Sequence, residues 1–228
     1  FSMDMVHPSP LSFMPVFDGK VIETTPYERL KNGNYNDVKI LTGYNTDEGT
    51  LFVGKGISEA DYENYVKIIF GDKASAVLER FPVDEAHTPT DRARQIVKMG
   101  FQIGCKTFGD AQSDNGKDVY VYNFDYHLPQ MDEIGLGVMH AEELLFVFDT
   151  FPEAIELPED GRKMIDQVHN YWVSFVKSGN PNGENGTEIW PKYTKEQQQI
   201  LQINSNSKVI PLEEKEAVDF FTELMWEQ

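Results

Sequence analysis

Two short stretches of this chain carry side chains suited to proton transfer. One is Asp47-Glu48-Gly49. The other is Gly137-Val138-Met139-His140-Ala141-Glu142-Glu143. A carboxylate can accept the Nδ1–H of an imidazole, fix its tautomer and stabilise the imidazolium formed during proton transfer. The second ring nitrogen is then free to take a proton from a nucleophile. Each stretch also has a plain reading, as a polar turn and as a solvated or structural loop histidine, and spacing by itself leaves both open. No nucleophile announces itself. The strained serine elbow G-x-S-x-G does not occur. Its nearest string, Gly56-Ile57-Ser58-Glu59-Ala60, lacks the second glycine, and Ser58 reads better as a helix cap. Cys105 falls mid-helix on an apolar stretch and reads as core. There is no Cys-x-x-Cys, His-Glu-x-x-His or Walker motif, and no G-x-G-x-x-G after a strand. His140, Glu142 and Glu143 are too few and too local for a zinc site. Asn185-Gly186-Thr187 is a glycosylation sequon, a triplet that chance often supplies.

These residues need a scaffold that brings two loops together. Val38-Lys39-Ile40-Leu41-Thr42-Gly43-Tyr44 is a β-branched and apolar run bounded by Asn36-Asp37 and Asn45-Thr46-Asp47. That suits a buried strand ending just before the acid. Residues 119–125 form the clearest strand, and a Gly-rich polar loop leads from it to His140. In open α/β sheets, functional groups collect at the carboxyl ends of strands, which is where both loops fall. Between the strands the period is helical. Ser58-Glu59-Ala60-Asp61 has the form of a capping box before Tyr62, Tyr65, Val66, Ile69 and Phe70. A short helix is predicted over 74–81 and a longer one from Thr90-Asp91 to Ser113. Ala93, Val97, Gly100, Gly104 and Phe108 line a small-residue stripe on it, expected to admit another element closely. A helix over 159–177 presents Met164, Ile165, Val168, Tyr171, Trp172, Phe175 and Val176 on one apolar face. Residues 200–203 and 208–210 read as a hairpin, and 213–226 as a final helix. Residues 1–37, with four prolines, read as an extended approach. Strands alternating with helices imply an α/β sheet, without a composition break to divide it.

Composition bounds the partners. Of 228 residues, 40% are hydrophobic, enough for a sizeable core. With 20 basic and 38 acidic residues the net charge is −18, which argues against a phosphate-backbone binder and against docking on anionic lipid. One cysteine cannot form an intrachain disulfide, and this favours a reducing, cytoplasmic setting. No apolar run approaches the roughly 18 residues of a membrane span. Phe1 is not an initiator methionine, so the chain is expected to be processed, truncated or part of a longer product.

Four stretches together resemble the C-terminal part of type-B carboxylesterases, the cholinesterase-like branch of the α/β hydrolases. Pro15-Val16-Phe17-Asp18-Gly19 resembles the family's P-x-x-D-G. Leu41-Thr42-Gly43-Tyr44-Asn45-Thr46-Asp47-Glu48-Gly49 resembles its G-x-N-x-D-E-G strand and turn. Residues 138–148 resemble G-x-x-H-x-x-E-L-x-Y-V-F. Residues 172–182, with Trp190-Pro191 and Tyr193, resemble W-x-x-F-A-x-T-G-x-P-N…W-P-x-Y. In order and spacing these cover nearly the whole chain.

The resemblance implies roles. Glu48 matches the family's triad acid and His140 its base, while Asp47 is the acid's neighbour. Glu143 matches an acid supporting the histidine loop. Leu51 and Phe52 stand where the family places substrate-pocket side chains, although core packing serves equally well for both. Ala141 replaces a common glycine and Leu145 a common proline. The implied reaction is hydrolysis of a small carboxylic ester through an acyl-enzyme, with no cofactor or metal. The serine comes earliest in such chains, so an N-terminal, nucleophile-bearing half of the same enzyme is the expected partner. Residues 38–44 and 119–125 would be the last two parallel strands of a large sheet. The alternative is a non-catalytic, cholinesterase-like adhesion module. Retention of both Glu48 and His140 argues against it.

Overall fold

The computed structural model describes residues 18–153, 155–183 and 189–226. Pro15-Val16-Phe17 and the sequon at Asn185 therefore lie outside the described residues. The chain opens with α1 (Pro26–Lys31), then runs through β1 (Ile40–Asn45), α2 (Glu59–Phe70), α3 (Ala74–Arg80), α4 (Pro89–Asp114) and β2 (Val119–Phe124). It continues through α5 (Pro129–Glu133), α6 (Glu143–Phe148), α7 (Gly161–Ser178), β3 (Gln199–Ile203), β4 (Lys208–Pro211) and α8 (Lys215–Trp226).

Local chemistry starts three of these helices in the same way. Thr25 with Glu28, Ser58 with Asp61 and Thr88 with Asp91 each form a reciprocal capping box, so orphan amides of the first turn gain acceptors. Pro26 and Pro89 fall at the first helical position, where a missing N–H costs nothing. The first of these boxes corrects the extended reading over residues 26–31. Prolines there suggested extension, but Pro26 stands immediately after a cap.

The strands pair in chain order to make one four-stranded sheet. β1 pairs with β2 in parallel from Ile40↔Val119 to Asn45↔Phe124. β2 also pairs in parallel with β3, and only β4 is antiparallel. There are thus three consecutive parallel strands where two were expected. The connection from β2 through α7 returns the chain to the same end of the sheet, as a βαβ crossover must.

All six residues of β2 are buried, so this strand is covered on both faces. Val119 and Val121 face a core shared with α2, α3, α4 and α8. Tyr120, Tyr122 and Phe124 face a second core with α6 and α7. There, Tyr120, Tyr122, Tyr171 and Trp172 crowd the indole of Trp190, whose Nε1–H donates to the Val121 carbonyl at 2.9 Å.

Two packing expectations fail. Gly100 and Phe108 of the α4 stripe are exposed, and a Cβ at Gly100 or Gly104 would meet nothing within 4 Å. Close approach to α4 occurs instead where Gly49 abuts the backbone of Arg94 and where the Tyr193 ring lies on Gly109. Val176 of α7 is 82% exposed, because the last turn of that helix overruns its core. No helix among the described residues is long and apolar enough to cross a membrane.

Candidate active site

The acid loop grows directly out of β1. Thr46 and Asp47 leave the strand, and a 3-10 turn, Glu48–Thr50, buries Glu48 and Gly49 against α4. Only glycine fits at position 49, since a Cβ there would lie 2.4 Å from the Arg94 carbonyl oxygen. Thr50 closes the turn, its Oγ1 donating to the carbonyls of Asp47 (2.9 Å) and Leu136 (2.6 Å).

The histidine loop reaches the same place by a longer route. After β2 the chain passes through α5, a short helix in what the sequence suggested was only loop. It then returns to pair with the acid loop in a parallel bridge, Asp47↔Met139. The Asp47 amide donates to the Val138 carbonyl at 3.0 Å, and the Asp47 carboxylate accepts from the Val138 amide at 3.0 Å. Gly137 adopts φ +57°, and a Cβ there would sit 2.2 Å from that carboxylate. Parallel pairing thus resumes beyond the strand ends, between the two loops and in a new register.

The outcome is a short hydrogen bond. His140 Nδ1 lies 2.5 Å from Glu48 Oε2. Glu48 is 3% exposed, and its Oε1 accepts the Asn45 backbone N–H at 2.8 Å. Burial pushes the Glu48 carboxyl above its ordinary range, opposed by the Asn45 amide and by His140. With Nδ1 engaged, Nε2 is the imidazole atom available for proton transfer. Phe52 and Phe101 flank the imidazole, with ring centroids 5.0 and 4.9 Å from it.

The sequence-expected residues separate into three groups. Glu48 and His140 are brought together. Phe52 lies beside His140, while Leu51 ends the 3-10 turn half-buried. Glu143 hydrogen-bonds Asn45 rather than His140. Asn45 Nδ2 donates to Glu143 Oε2 at 2.6 Å and to the Met139 carbonyl at 2.7 Å. Tyr122 completes this group with a 3.5 Å bond from its hydroxyl to Glu143 Oε1. Asn45 therefore connects the acid, through its backbone, to the histidine loop, through its side chain. Sequence reasoning treated Asn45 as a strand boundary and passed over Phe101. Phe101 stands one turn of α4 from Val97 and from Cys105, both buried, so helical spacing marks it only as core-facing and says nothing of His140. Ser58 is the cap of α2, and Cys105 is buried, its thiol pushed up to about 12 by desolvation.

A mixed sheet with helices on both faces, and an acid and a histidine loop joined beyond its parallel strands, defines the C-terminal portion of an α/β-hydrolase fold. Among solved structures, a PNB esterase superposes with a TM-score of 0.76 at 23% identity, over 91% of this chain and 43% of that one. The model of the carboxylesterase family matches residues 2–221, and the chain belongs to that family. A crystal protein of Dictyostelium discoideum is 28% identical over 199 residues, which is 79% of this chain and 36% of that protein. The chain thus spans less than half the length of either relative.

Proposed function

We propose that this chain supplies the acid and the base of a serine carboxylesterase. Glu48 holds His140 through Nδ1. Nε2 takes the proton of a serine hydroxyl as its oxygen attacks the ester carbonyl, then delivers that proton to the departing alcohol. The chain order of α/β hydrolases assigns the serine and the oxyanion donors to a segment outside these 228 residues. The step needs no metal or cofactor. The 2.5 Å bond between His140 and a buried Glu48 is the observation that carries the reading. Phe52 and Phe101 beside the imidazole suit an apolar group of a small ester.

The test compares two proteins with a chromogenic aromatic ester. The 228-residue chain is expected to be silent, because nucleophile and oxyanion donors are needed for acyl transfer. The full-length product is expected to turn over, and His140→Ala or Glu48→Gln in it should lower kcat by roughly 10²–10⁴. Turnover that survives His140→Ala would overturn the assignment. A full-length product with an intact dyad but no nucleophilic serine would favour a binding module.

A further inference from the structure

His140 sits at the second position of a tight turn. The Glu142 amide donates to the Met139 carbonyl at 3.2 Å, closing a four-residue β-turn. Ala141, at the third position, has φ +65°. A positive φ at that position is the type II signature, which glycine adopts freely and alanine adopts at a cost. A second bond closes the same turn from the other side. Glu142 Oε2 accepts the Met139 backbone N–H at 3.1 Å. Both ends of the turn around His140 are therefore held by one residue, whose backbone gives a donor and whose side chain gives an acceptor. The carboxyl is 1% exposed, and its Oε1 has no hydrogen-bond partner among the described residues.

A buried carboxyl with an unpartnered oxygen is expensive to keep for packing alone. It belongs neither to the acid–histidine pair nor to the Asn45–Glu143 group. We propose that Glu142 is a positioning residue that staples the strained turn presenting His140, holding the imidazole in line with Glu48. This deepens the esterase reading and rests on the Glu48–His140 pair being its acid and base. The groups that bear on the Glu142 charge are His127, which favours it, and Asp132 and Asp47, which oppose it. Burial is the larger influence and raises the carboxyl to about 7, so the staple changes charge near neutrality.

The test follows the proton shared by His140 and Glu48 by NMR of the histidine-labelled chain, assigned by its loss in His140→Ala. Glu142→Ala is expected to speed solvent exchange of that proton by about tenfold, as for loss of one ordinary hydrogen bond. Glu142→Gln keeps an acceptor of the same shape and should stay near the wild-type rate at pH 5.5. Once the intrinsic pH dependence of exchange is divided out, wild type is expected to show a step in protection near pH 7 that Glu142→Gln lacks. Adding Ala141→Gly to Glu142→Ala removes the strain and should recover most of the loss, an outcome that a general packing defect would not give. In the full-length product, Glu142→Ala should lower kcat and leave KM in place. Exchange in Glu142→Ala equal to wild type across pH 5.5–8.5 would overturn the proposal. Absence of the shared proton in wild type would overturn the acid–base pair itself, and the proposal with it.

Discussion

Glu48 and Glu142 are both buried carboxyls, and burial raises both, but their neighbours differ. Glu48 has an imidazole and a backbone amide on its two oxygens. Glu142 has one amide and an oxygen left over. The consequence for stability has a definite sign. A carboxyl raised from an ordinary 4.5 to about 7 binds more protons folded than unfolded between those values. Its stabilising contribution is complete below about pH 4.5 and is lost as pH rises through 7. Glu142→Gln, always neutral, should therefore be more stable than wild type at pH 8, by on the order of 2–3 kcal/mol. The gap should close towards pH 4.5, and urea unfolding at several pH values measures it. A gap independent of pH would mean that the carboxyl ionises normally in the folded chain. Function and stability pull against each other at this residue, because the charge that strengthens the staple is costly to bury.

At the scale of elements, two glycines set the meeting of the loops. Gly49 lets the acid turn touch the backbone of α4, and Gly137 lets the histidine loop touch the Asp47 carboxylate. Gly49→Ala must push α4 away along rigid backbone, and should cost about 1–3 kcal/mol or more. The loss should show as a lowered denaturation midpoint with an unchanged m-value. A Gly49→Ala chain as stable as wild type would show that the turn packs less tightly on α4 than described. The glycines were visible in the sequence, within Asp47-Glu48-Gly49 and Gly135-Leu136-Gly137, but what they touch was not. The α4 contact is with Arg94, distant along the chain and unremarked by periodicity. Strands, capping boxes and the long amphipathic helix were legible because their signals are local. The stripe on α4 misled because small residues permit close approach without supplying a neighbour. Helix α5 was hidden in the histidine loop because five residues leave too short a pattern to read.

For the whole molecule, charge and burial act together. The two cores on either side of β2 use the apolar content, while a net charge of −18 acts against compaction. Salt should relieve that repulsion over distances beyond about 10 Å at 0.1 M ionic strength. Raising sodium chloride from about 10 mM to about 200 mM is expected to raise Tm. Each 1 kcal/mol of relief is worth roughly 2–4 °C for a chain of this size. A Tm that falls with salt would mean that local ion pairs such as Lys106–Asp110, rather than net repulsion, dominate.

The sequence by itself determined the alternation of strands and helices, the placement of an acid after one strand and a histidine after the next, and the family. These follow from residue type and short-range spacing, which steric and capping preferences translate directly into local structure. Only the tertiary structure decided that Asp47 and Asn45 hold the two loops together, that Phe101 flanks the imidazole, and that one residue beside His140 staples its turn. Those relations join positions up to about a hundred residues apart, or depend on which oxygen of a buried carboxyl finds a donor. Local preference is silent on both, and packing settles them.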